Sequence, residues 1–305
     1  MRPAAAVFLL LVLCACKGPE EGRERAIIGA VLIDGGGGPP LTDSVVVTGA
    51  GKIHAAGPRT NVLIPTDADR INGEGKFLVP ALVDVCDRAE PAGLIHAATA
   101  EEARAEVARL AAKKVSPIYI GKAGAAVVQA ALEAARAAGI PVIGHISTQA
   151  EARVLVDSGA SALIGMIRDS DDPDALLLAR LRDLRVVVAP ALGRAGADLE
   201  IAKRNTRRLF QSGVLLAVAS EGGDPYREAE TLVDAGVPPL DAIVAATRNG
   251  AMALHQLDQR GTIEPGKRAD LVLVSANPGE DIANWRRVVL RMADGEWVKA
   301  NTGQP

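Results

Sequence analysis

The middle of the chain alternates short apolar runs with helix-like segments, and this rhythm restricts the fold more than any other feature. The helix-like segments, such as AEEARAEVARLAAKK, are rich in alanine and charged residues. The runs between them are apolar throughout, which is typical of strands buried on both faces of a parallel sheet. They lie near residues 78–85, 116–120, 141–145, 161–166, 185–190 and 214–219. Such a repeat predicts an α/β unit, either a βα barrel or a doubly wound sheet.

Shorter β-like segments flank this unit on both sides. Residues 26–76 contain AIIGAVLI, the turn DGGGGPP and SVVVTGAGKIHAAG, which indicate two or three strands joined by glycine-rich turns. Residues 260–305 contain GTIEPGKRADLVLV and VVLRMADGEWVKA, which have the same character. We therefore predict that the two ends fold together into one composite β-sandwich, and that residues 77–259 form the βα unit.

The first 25 residues have the pattern of an export signal followed by a tether. Arg2 and the apolar run AAAVFLLLVL match a secretory signal, and the run is too short for a membrane-spanning helix. The phrase LCAC at 13–16 is similar to a bacterial lipobox, in which Cys16 would carry the lipid. We expect a signal peptide at 1–15, a lipidated tether at 16–25, and anchoring in the bacterial cell envelope, at the periplasmic face or outer membrane. An ordinary signal cleaved elsewhere is the alternative.

Composition excludes several classes of partner. The formal net charge is −3, with lysine and arginine spread along the chain, so no basic patch indicates nucleic-acid binding. Aromatic residues make up only 2% of the chain, which is too few for a base-stacking surface. Of the three cysteines, Cys14 would leave with the signal and Cys16 would carry lipid. Only Cys86 would then remain, so we expect no intramolecular disulfide.

Several phrases occur in an order that resembles the amidohydrolase superfamily, in particular its imidazolonepropionase-like and prolidase-like branch. They are LIDGGGGPP, GKIHAAG, GEGKFLVPALVDV, IPVIGHISTQAEARVLVDSGASALI, GVLLAVASEGG, AIVAATRNGAMAL and GTIEPGKRADLVLVSANP. The resemblance implies a (β/α)8 barrel with a small β-sandwich and one or two divalent metals at the carboxyl ends of the strands. Such metals lower the pKa of bound water and polarise an amide carbonyl.

The sequence departs from this family at most of the metal-ligand positions. The family has His-x-His on the first strand, often a carboxylated lysine on the fourth, a histidine on the fifth and on the sixth, and an aspartate on the eighth. Here these positions hold Cys86, Arg88, Tyr119 (with Lys122 three places later), His145, Gly165 and Glu221. A guanidinium cannot bind a metal. Any residual zinc site would therefore consist of Cys86, His145 and Glu221, and we expect no other cofactor.

The chain is also shorter than the resemblance implies. Only about thirty residues separate the first strand from the phrase that aligns with the fourth. We therefore expect no counterpart of strands two and three, and residues 77–259 are short against the ~250 residues of a typical barrel. We predict an incomplete or distorted (β/α) barrel of about six parallel strands. Its open edges would need cover, for which a second copy of the chain is one candidate.

Three functions remain open at this point. The favoured one is a degenerate, catalytically impaired amidohydrolase homologue that binds a small molecule or acts as a scaffold in the envelope. The second is an active metal-dependent hydrolase of C–N bonds in cyclic amides or dipeptides. The third is metal-free hydrolysis with Cys86 as nucleophile and His145 as base, in which Glu221 or Asp84 would orient the imidazole. Arg88 would then favour the thiolate.

The strand ends are expected to form one pocket, to which Asp84, Arg88, Tyr119 and Lys122 also contribute. Without a dication, Arg88 would supply the positive charge by contact with Glu221 or Asp84, beside a neutral His145. Replacing Arg88 and Gly165 by histidine would on this hypothesis begin to restore zinc affinity.

Substitution of Cys16 tests the lipoprotein prediction. The Cys16→Ala chain lacks the thiol that carries the lipid, so it should remain unprocessed or become soluble. Membrane fractionation with immunoblotting measures this. The matched Cys14→Ala chain retains Cys16 and should still be processed and recovered with membranes. Unchanged processing and membrane recovery of the Cys16→Ala chain would contradict the prediction.

Overall fold

The computed structural model describes residues 24–294 and 296–298. The predictions of a signal peptide, a lipidated Cys16 and most of the tether therefore fall outside the described residues. Within the described part, none of the helices is long and apolar enough to cross a membrane.

The described chain begins with five strands. They are β1 (Arg25–Leu32), β2 (Leu41–Gly49), β3 (Lys52–Pro58), β4 (Asp69–Asn72) and β5 (Phe77–Pro80). The first three pair antiparallel in chain order, while β4 and β5 each run parallel to β1. Between β1 and β2 the glycine-rich segment forms a turn, in which the Asp34 carboxylate accepts the backbone N–H of Gly36 at 2.7 Å. Gly35 and Gly37 adopt positive φ there, which glycine tolerates best.

Parallel strands and helices then alternate, as the apolar runs predict. The strands are β6 (Leu94–Ile95), β7 (Ile118–Ile120), β8 (Val142–His145), β9 (Ala162–Ile164) and β10 (Val187–Ala189). The helices are α1 (Ala100–Ala112), α2 (Ala125–Ala137), α3 (Gln149–Ser158), α4 (Ala175–Asp183), α5 (Leu199–Gln211), α6 (Pro225–Asp234), α7 (Pro239–Val244) and α8 (Gly250–Ala253), with a π turn at Ala245–Asn249. The five strands form one parallel sheet in chain order. Four of the predicted strands, each shorter than its apolar run, are thus confirmed as sheet neighbours.

Local sequence signals fix where the helices of this unit begin. Thr99 before α1 and Thr148 before α3 each accept the backbone N–H three residues later. The glutamates at those positions, Glu102 and Glu151, return the contact to the threonine backbone, which completes a capping box. Asp174 caps α4 through the backbone N–H of Leu177. Helices α1 and α3 thus begin within a few residues of a strand end, whereas ten residues separate β9 from α4; the buried apolar residues of all three helices join the core.

Three strands from the end of the chain complete the first sheet. They are β11 (Leu271–Val274), β12 (Val288–Ala293) and β13 (Glu296–Val298). The sheet order is β13-β12-β11-β5-β1-β2-β3, with β4 beside β1, so both ends of the chain fold together. They do so in one mainly antiparallel, hydrogen-bonded sheet, whereas a sandwich of two sheets was expected. On one face Leu271, Leu273 and Met292 pack together, while Val272 and Val274 pack against the βα unit.

The first and last apolar runs of the βα unit do not form the regular strands that were predicted. β5 ends at Pro80, and residues 81–86 continue without strand geometry. Val85 donates its backbone N–H to the carbonyl of Val218 at 2.9 Å, and residues 214–219 hold only one bridge, between Val188 and Leu216. Residues 81–86 therefore lie beside 214–219, without the regular strand pairing that a buried apolar run predicts. The reason is that the Asp84 carboxylate takes up backbone N–H groups that a ladder would use.

A side chain connects residues 81–86 to the parallel sheet on their other side. In the described chain, no backbone hydrogen bond joins this segment to β6 or β7. Instead the Tyr119 hydroxyl, on β7, donates to the carbonyl oxygen of Val85 at 2.6 Å. A lateral cleft of about 340 Å³ opens beside this contact. The short parallel strand β6, which the apolar runs did not predict, pairs with β7 in the stretch where no strand was expected.

Removal of the Tyr119 hydroxyl tests how much this contact stabilises the fold. The Tyr119→Phe chain loses one buried hydrogen bond, so its free energy of unfolding should fall by about 1 kcal/mol. Urea denaturation followed by circular dichroism measures the change. Tyr226→Phe is the matched control, because the Tyr226 ring packs edge-on against Trp285 and its hydroxyl bonds no other described residue. Equal stability of the two variants would contradict the proposed role of the hydroxyl.

Candidate functional site

An imidazole and a carboxylate meet where the parallel strands end. His145 is the last residue of β8, and Glu221 follows the segment 214–219. The Nδ1 atom of His145 lies 3.3 Å from Oε1 of Glu221, with side chains 29% and 17% exposed. The sequence placed both residues at this end of the sheet, and the structure brings them into contact.

The backbone around Glu221 is held in an unusual conformation. Glu221 has a φ of 47° and is followed by Gly222 at 87°, so the chain turns sharply after the strand-like segment. The Glu221 backbone N–H donates to the carbonyl of Cys86 at 2.7 Å. Its own carbonyl accepts a hydrogen bond from the Arg194 guanidinium. Contacts on both sides of the residue therefore stabilise a left-handed conformation that a non-glycine residue seldom adopts.

Burial decides the charge of His145. Desolvation lowers the pKa of its imidazole below the ordinary value, and the nearby Glu221 carboxylate opposes that shift only in part. The neutral form of the imidazole is therefore favoured.

Asp84 connects the two segments that meet below this pair. Its carboxylate accepts the backbone N–H of Cys86 and of Ser220, each at 3.0 Å, and the hydroxyl of Ser220. Burial nevertheless raises the pKa of Asp84, because desolvation outweighs these hydrogen bonds. With both oxygens occupied, Asp84 serves the structure of the strand ends.

Cys86 does not have the surroundings of a nucleophile. The residue is 1% exposed, and its thiol donates to the carbonyl oxygen of Arg88 at 3.1 Å. Burial raises the pKa of the thiol to about 11, with Glu221 adding a smaller effect of the same sign. None of the hydrogen bonds among the described residues joins Cys86 to His145. The expectation that Arg88 favours a thiolate here is wrong, and a nucleophile activated by His145 has no geometric support.

Arg88 turns away from the strand ends. Its side chain is 68% exposed, and its Nε lies 3.2 Å from the carboxylate of the neighbouring Asp87. The predicted contact with Glu221 or Asp84 is therefore wrong. Two physical reasons account for this: Asp84 already accepts three hydrogen bonds and Glu221 faces His145, while a guanidinium in water avoids the cost of desolvation.

The predicted single pocket is divided between two cavities. Asp84, Arg88 and Tyr119 border the lateral cleft. Burial raises the pKa of Tyr119, whose hydroxyl is used in the contact with Val85. Lys122 is exposed and borders a separate cavity of about 180 Å³ between α2 and α3, which His145 also lines.

Gly165 occupies the position of the missing sixth-strand histidine in a conformation that excludes side chains. Its φ is 95°, and a Cβ atom built there would lie 2.4 Å from the carbonyl oxygen of Ile146. Histidine at this position would therefore strain the backbone. The expectation that Gly165→His helps to restore zinc affinity does not hold for this structure.

The residues present do not fit the metal that the resemblance implies. Among the residues the structure describes, no three of His, Cys, Asp and Glu are placed to hold a metal ion. Cys86, His145 and Glu221 thus do not form the three-ligand set. A thiol with a raised pKa is also a poor ligand, because zinc binds the thiolate.

Sequence reasoning missed two residues of this region. Glu228 on α6 is 5% exposed and accepts the backbone N–H groups of Leu192 and Gly193 at 2.8 and 2.6 Å. Burial, with smaller effects from other carboxylates, raises its pKa to about 7. It holds the turn that carries Arg194, the second missed residue, against Glu221. The available signal was the position of Glu228, which shares a helix face with the apolar Leu232.

The charge balance between His145 and Glu221 is open to direct measurement. Glu221→Gln removes the one effect that raises the imidazole pKa, so the pKa of His145 should fall further. NMR titration of the imidazole ring signals measures it. Glu133→Gln, an exposed carboxylate on α2, is the control and should leave the His145 titration unchanged. A higher or unchanged pKa in Glu221→Gln would contradict the assignment.

Comparison with known proteins places this geometry in a family. The model described as the amidohydrolase family matches residues 88–298. The chain is 38% identical over 80 residues to the imidazolonepropionase of Cutibacterium acnes. This alignment covers 24% of this chain and 20% of that protein. It is 30% identical over 153 residues to the imidazolonepropionase of Geobacillus kaustophilus. This second alignment covers 47% of this chain and 35% of that protein. Both alignments span well under half of these curated relatives.

Solved structures extend the likeness to the whole fold. A candidate prolidase from Bifidobacterium longum superposes with a TM-score of 0.76 at 21% identity, covering 91% of this chain and 95% of that chain. At this identity the similarity concerns the fold. Because the family model matches more than half of the sequence, the conclusion is direct: the chain belongs to the amidohydrolase family.

Proposed function

We propose that this amidohydrolase-family chain is a catalytically impaired homologue that binds a small molecule at its strand ends. The observation that carries the proposal is that the residues at the family's ligand positions already have partners within the protein. His145 faces Glu221, the Cys86 thiol donates to a backbone carbonyl, and Arg88 points to solvent. Such a set offers a prospective metal one imidazole and one carboxylate.

The cavity next to His145 supports a binding role of limited size. It measures about 180 Å³, and its lining is mainly apolar, from residues such as Val128, Val154 and Leu155. The polar side chains that border it are the His145 imidazole, the exposed Lys122 and Glu151, whose carboxylate is used in the cap of α3. A small, mostly apolar molecule with one hydrogen-bonding group matches this lining.

The location in the cell envelope is part of the same proposal. It rests on the signal-like first segment and on the lipobox-like phrase that ends at Cys16. A lipid-anchored binding protein would meet its ligand outside the cytoplasm.

The competing function is an active metal-dependent hydrolase, and family membership is the observation that favours it. The curated relatives are named imidazolonepropionase, and a solved neighbour is a candidate prolidase. This function needs a metal held by a ligand set other than the one the family uses. Hydrolysis by Cys86 is disfavoured by the buried thiol and its pKa of about 11.

Metal content and chelator sensitivity distinguish these functions. The purified chain, incubated with zinc and desalted, should carry well below one zinc ion per chain by elemental mass spectrometry. It should also show no chelator-sensitive hydrolysis of imidazolonepropionate or of a Xaa-Pro dipeptide.

A matched pair of variants controls for adventitious zinc on surface histidines. His145→Ala should leave the small amount of bound zinc unchanged, whereas His255→Ala, at an exposed position, can lower it. One or two zinc ions per chain that disappear in His145→Ala, together with hydrolysis abolished by a chelator, would overturn the proposal in favour of the active hydrolase.

A further inference from the structure

A third cavity, with a largely polar lining, lies where the mainly antiparallel sheet meets the βα unit. It has a volume of about 140 Å³, shares no lining residue with the cavity next to His145, and shares Arg260 alone with the lateral cleft. Three arginines and one carboxylate dominate its lining: Arg260, Arg268, Arg291 and Asp270. Such a concentration of positive charge in a small cavity requires an explanation, because like charges repel most strongly where water is scarce.

The backbone fixes two of these arginines side by side. Arg260 donates its backbone N–H to the carbonyl of Gln256 at 2.9 Å, and its Nε donates to the Gln256 side-chain oxygen at 2.7 Å. Arg268 donates its backbone N–H to the carbonyl of Gln259 at 2.8 Å. The turn after α8 therefore fixes the backbone positions of both arginines. The neutral side chain of Gln256 also holds the Arg260 guanidinium in place.

The third arginine reaches the cavity from the sheet. Arg291 lies opposite Val272 in the register of β11 and β12, and Val272 packs against the βα unit. Its neighbour Met292 is buried on the other face of the sheet. Because side chains alternate along a strand, Arg291 projects from the face that borders the cavity.

The one carboxylate of the lining is already occupied. Asp270 accepts the backbone N–H of Asp294 at 2.9 Å with Oδ1, and its Oδ2 lies 3.1 Å from the Arg268 guanidinium. Arg268 also pairs with the Asp294 carboxylate at 2.9 Å. In the described part of the chain, neither Arg260 nor Arg291 has a carboxylate within ion-pair distance. Two guanidinium groups are thus left without an anionic partner.

Desolvation makes this arrangement unfavourable in the absence of an anion. Burial lowers the pKa of Arg260, and the nearby Arg268 lowers it further. An arginine side chain stays protonated in proteins, so its positive charge persists in the cavity. In addition, Nε of Arg268 is buried and has no hydrogen-bond partner. An oxyanion would offset the charge and accept hydrogen bonds from the unused donors.

We propose that this cavity binds a phosphate group. The guanidinium groups of Arg260 and Arg291 would hold it, together with the unused Nε–H of Arg268. Three guanidinium groups and one carboxylate give the lining a formal charge of +2, of which Asp294 offsets one unit. Planar guanidinium forks match phosphate oxygens in pairs, which favours phosphate over a spherical anion such as chloride. The site is independent of whether the strand ends are catalytic.

Calorimetric titration of the purified full chain with inorganic phosphate tests the proposal. The wild type should bind one phosphate per chain in a saturable manner and show a rise in Tm beyond that produced by potassium chloride at equal ionic strength. Arg260→Gln and Arg291→Gln should each weaken binding by about tenfold or more, since each removes a charged donor pair. Arg104→Gln, an exposed arginine on α1, is the matched control and should bind as the wild type does.

A second titration identifies the source of the phosphate group. Glycerol 3-phosphate carries the phosphate of a lipid headgroup, and Arg260→Gln should weaken whichever of the two probes binds more tightly. Should Arg260→Gln fail to fold, the exposed Arg291 still provides a variant that leaves the core intact. The proposal is overturned if neither probe binds saturably to the wild type, or if both variants bind phosphate as tightly as the Arg104→Gln control.

Discussion

Polar side chains are buried at the carboxyl ends of the parallel strands, and no described lysine or arginine forms an ion pair with them. This region of the structure depends on that constraint. For five buried groups there, desolvation is the largest cause of the pKa shift, and each of these five shifts favours the neutral form. The acids and the thiol have raised pKa values and the imidazole has a lowered one, in Asp84, Cys86, Tyr119, Glu228 and His145. A dication would favour the opposite charge states.

Hydrogen bonds within the protein hold these polar side chains in place. Asp84 joins the segment 81–86 to Ser220, and Tyr119 joins the same segment to β7. These contacts bridge a part of the molecule where regular strand pairing is absent, so residues 81–86 stay connected to both neighbouring segments. An arginine at position 88 gains nothing from entering this network, because every carboxylate within it already has a partner.

The sequence could predict the features that depend on the periodicity of apolar residues and on the order of segments along the chain. Fully apolar runs predicted the parallel sheet, and β-like segments at both ends predicted that residues 26–76 and 260–305 fold together. They meet through β5, which the sequence had assigned to the βα unit. Phrases shared with the family located His145 and Glu221 at one end of that sheet. What could not be predicted depends on competition in three dimensions. The Asp84 carboxylate accepts backbone N–H groups that strand pairing would otherwise use. Gly165 adopts a positive φ, and the Arg88 side chain lies in solvent. None of these three features produces a periodic pattern in the sequence.

Glu228 makes the stability of this region depend on pH. The folded carboxyl has a pKa of about 7 against an ordinary value of 4.5, so folded protein holds its proton more tightly than unfolded chain does. Its contribution to stability is fully present below about pH 4.5 and is lost as the pH rises through about 7. The turn that positions Arg194 against Glu221 is thus tied to a group that changes charge near neutrality. The stability of this turn would then decrease as the pH rises through about 7.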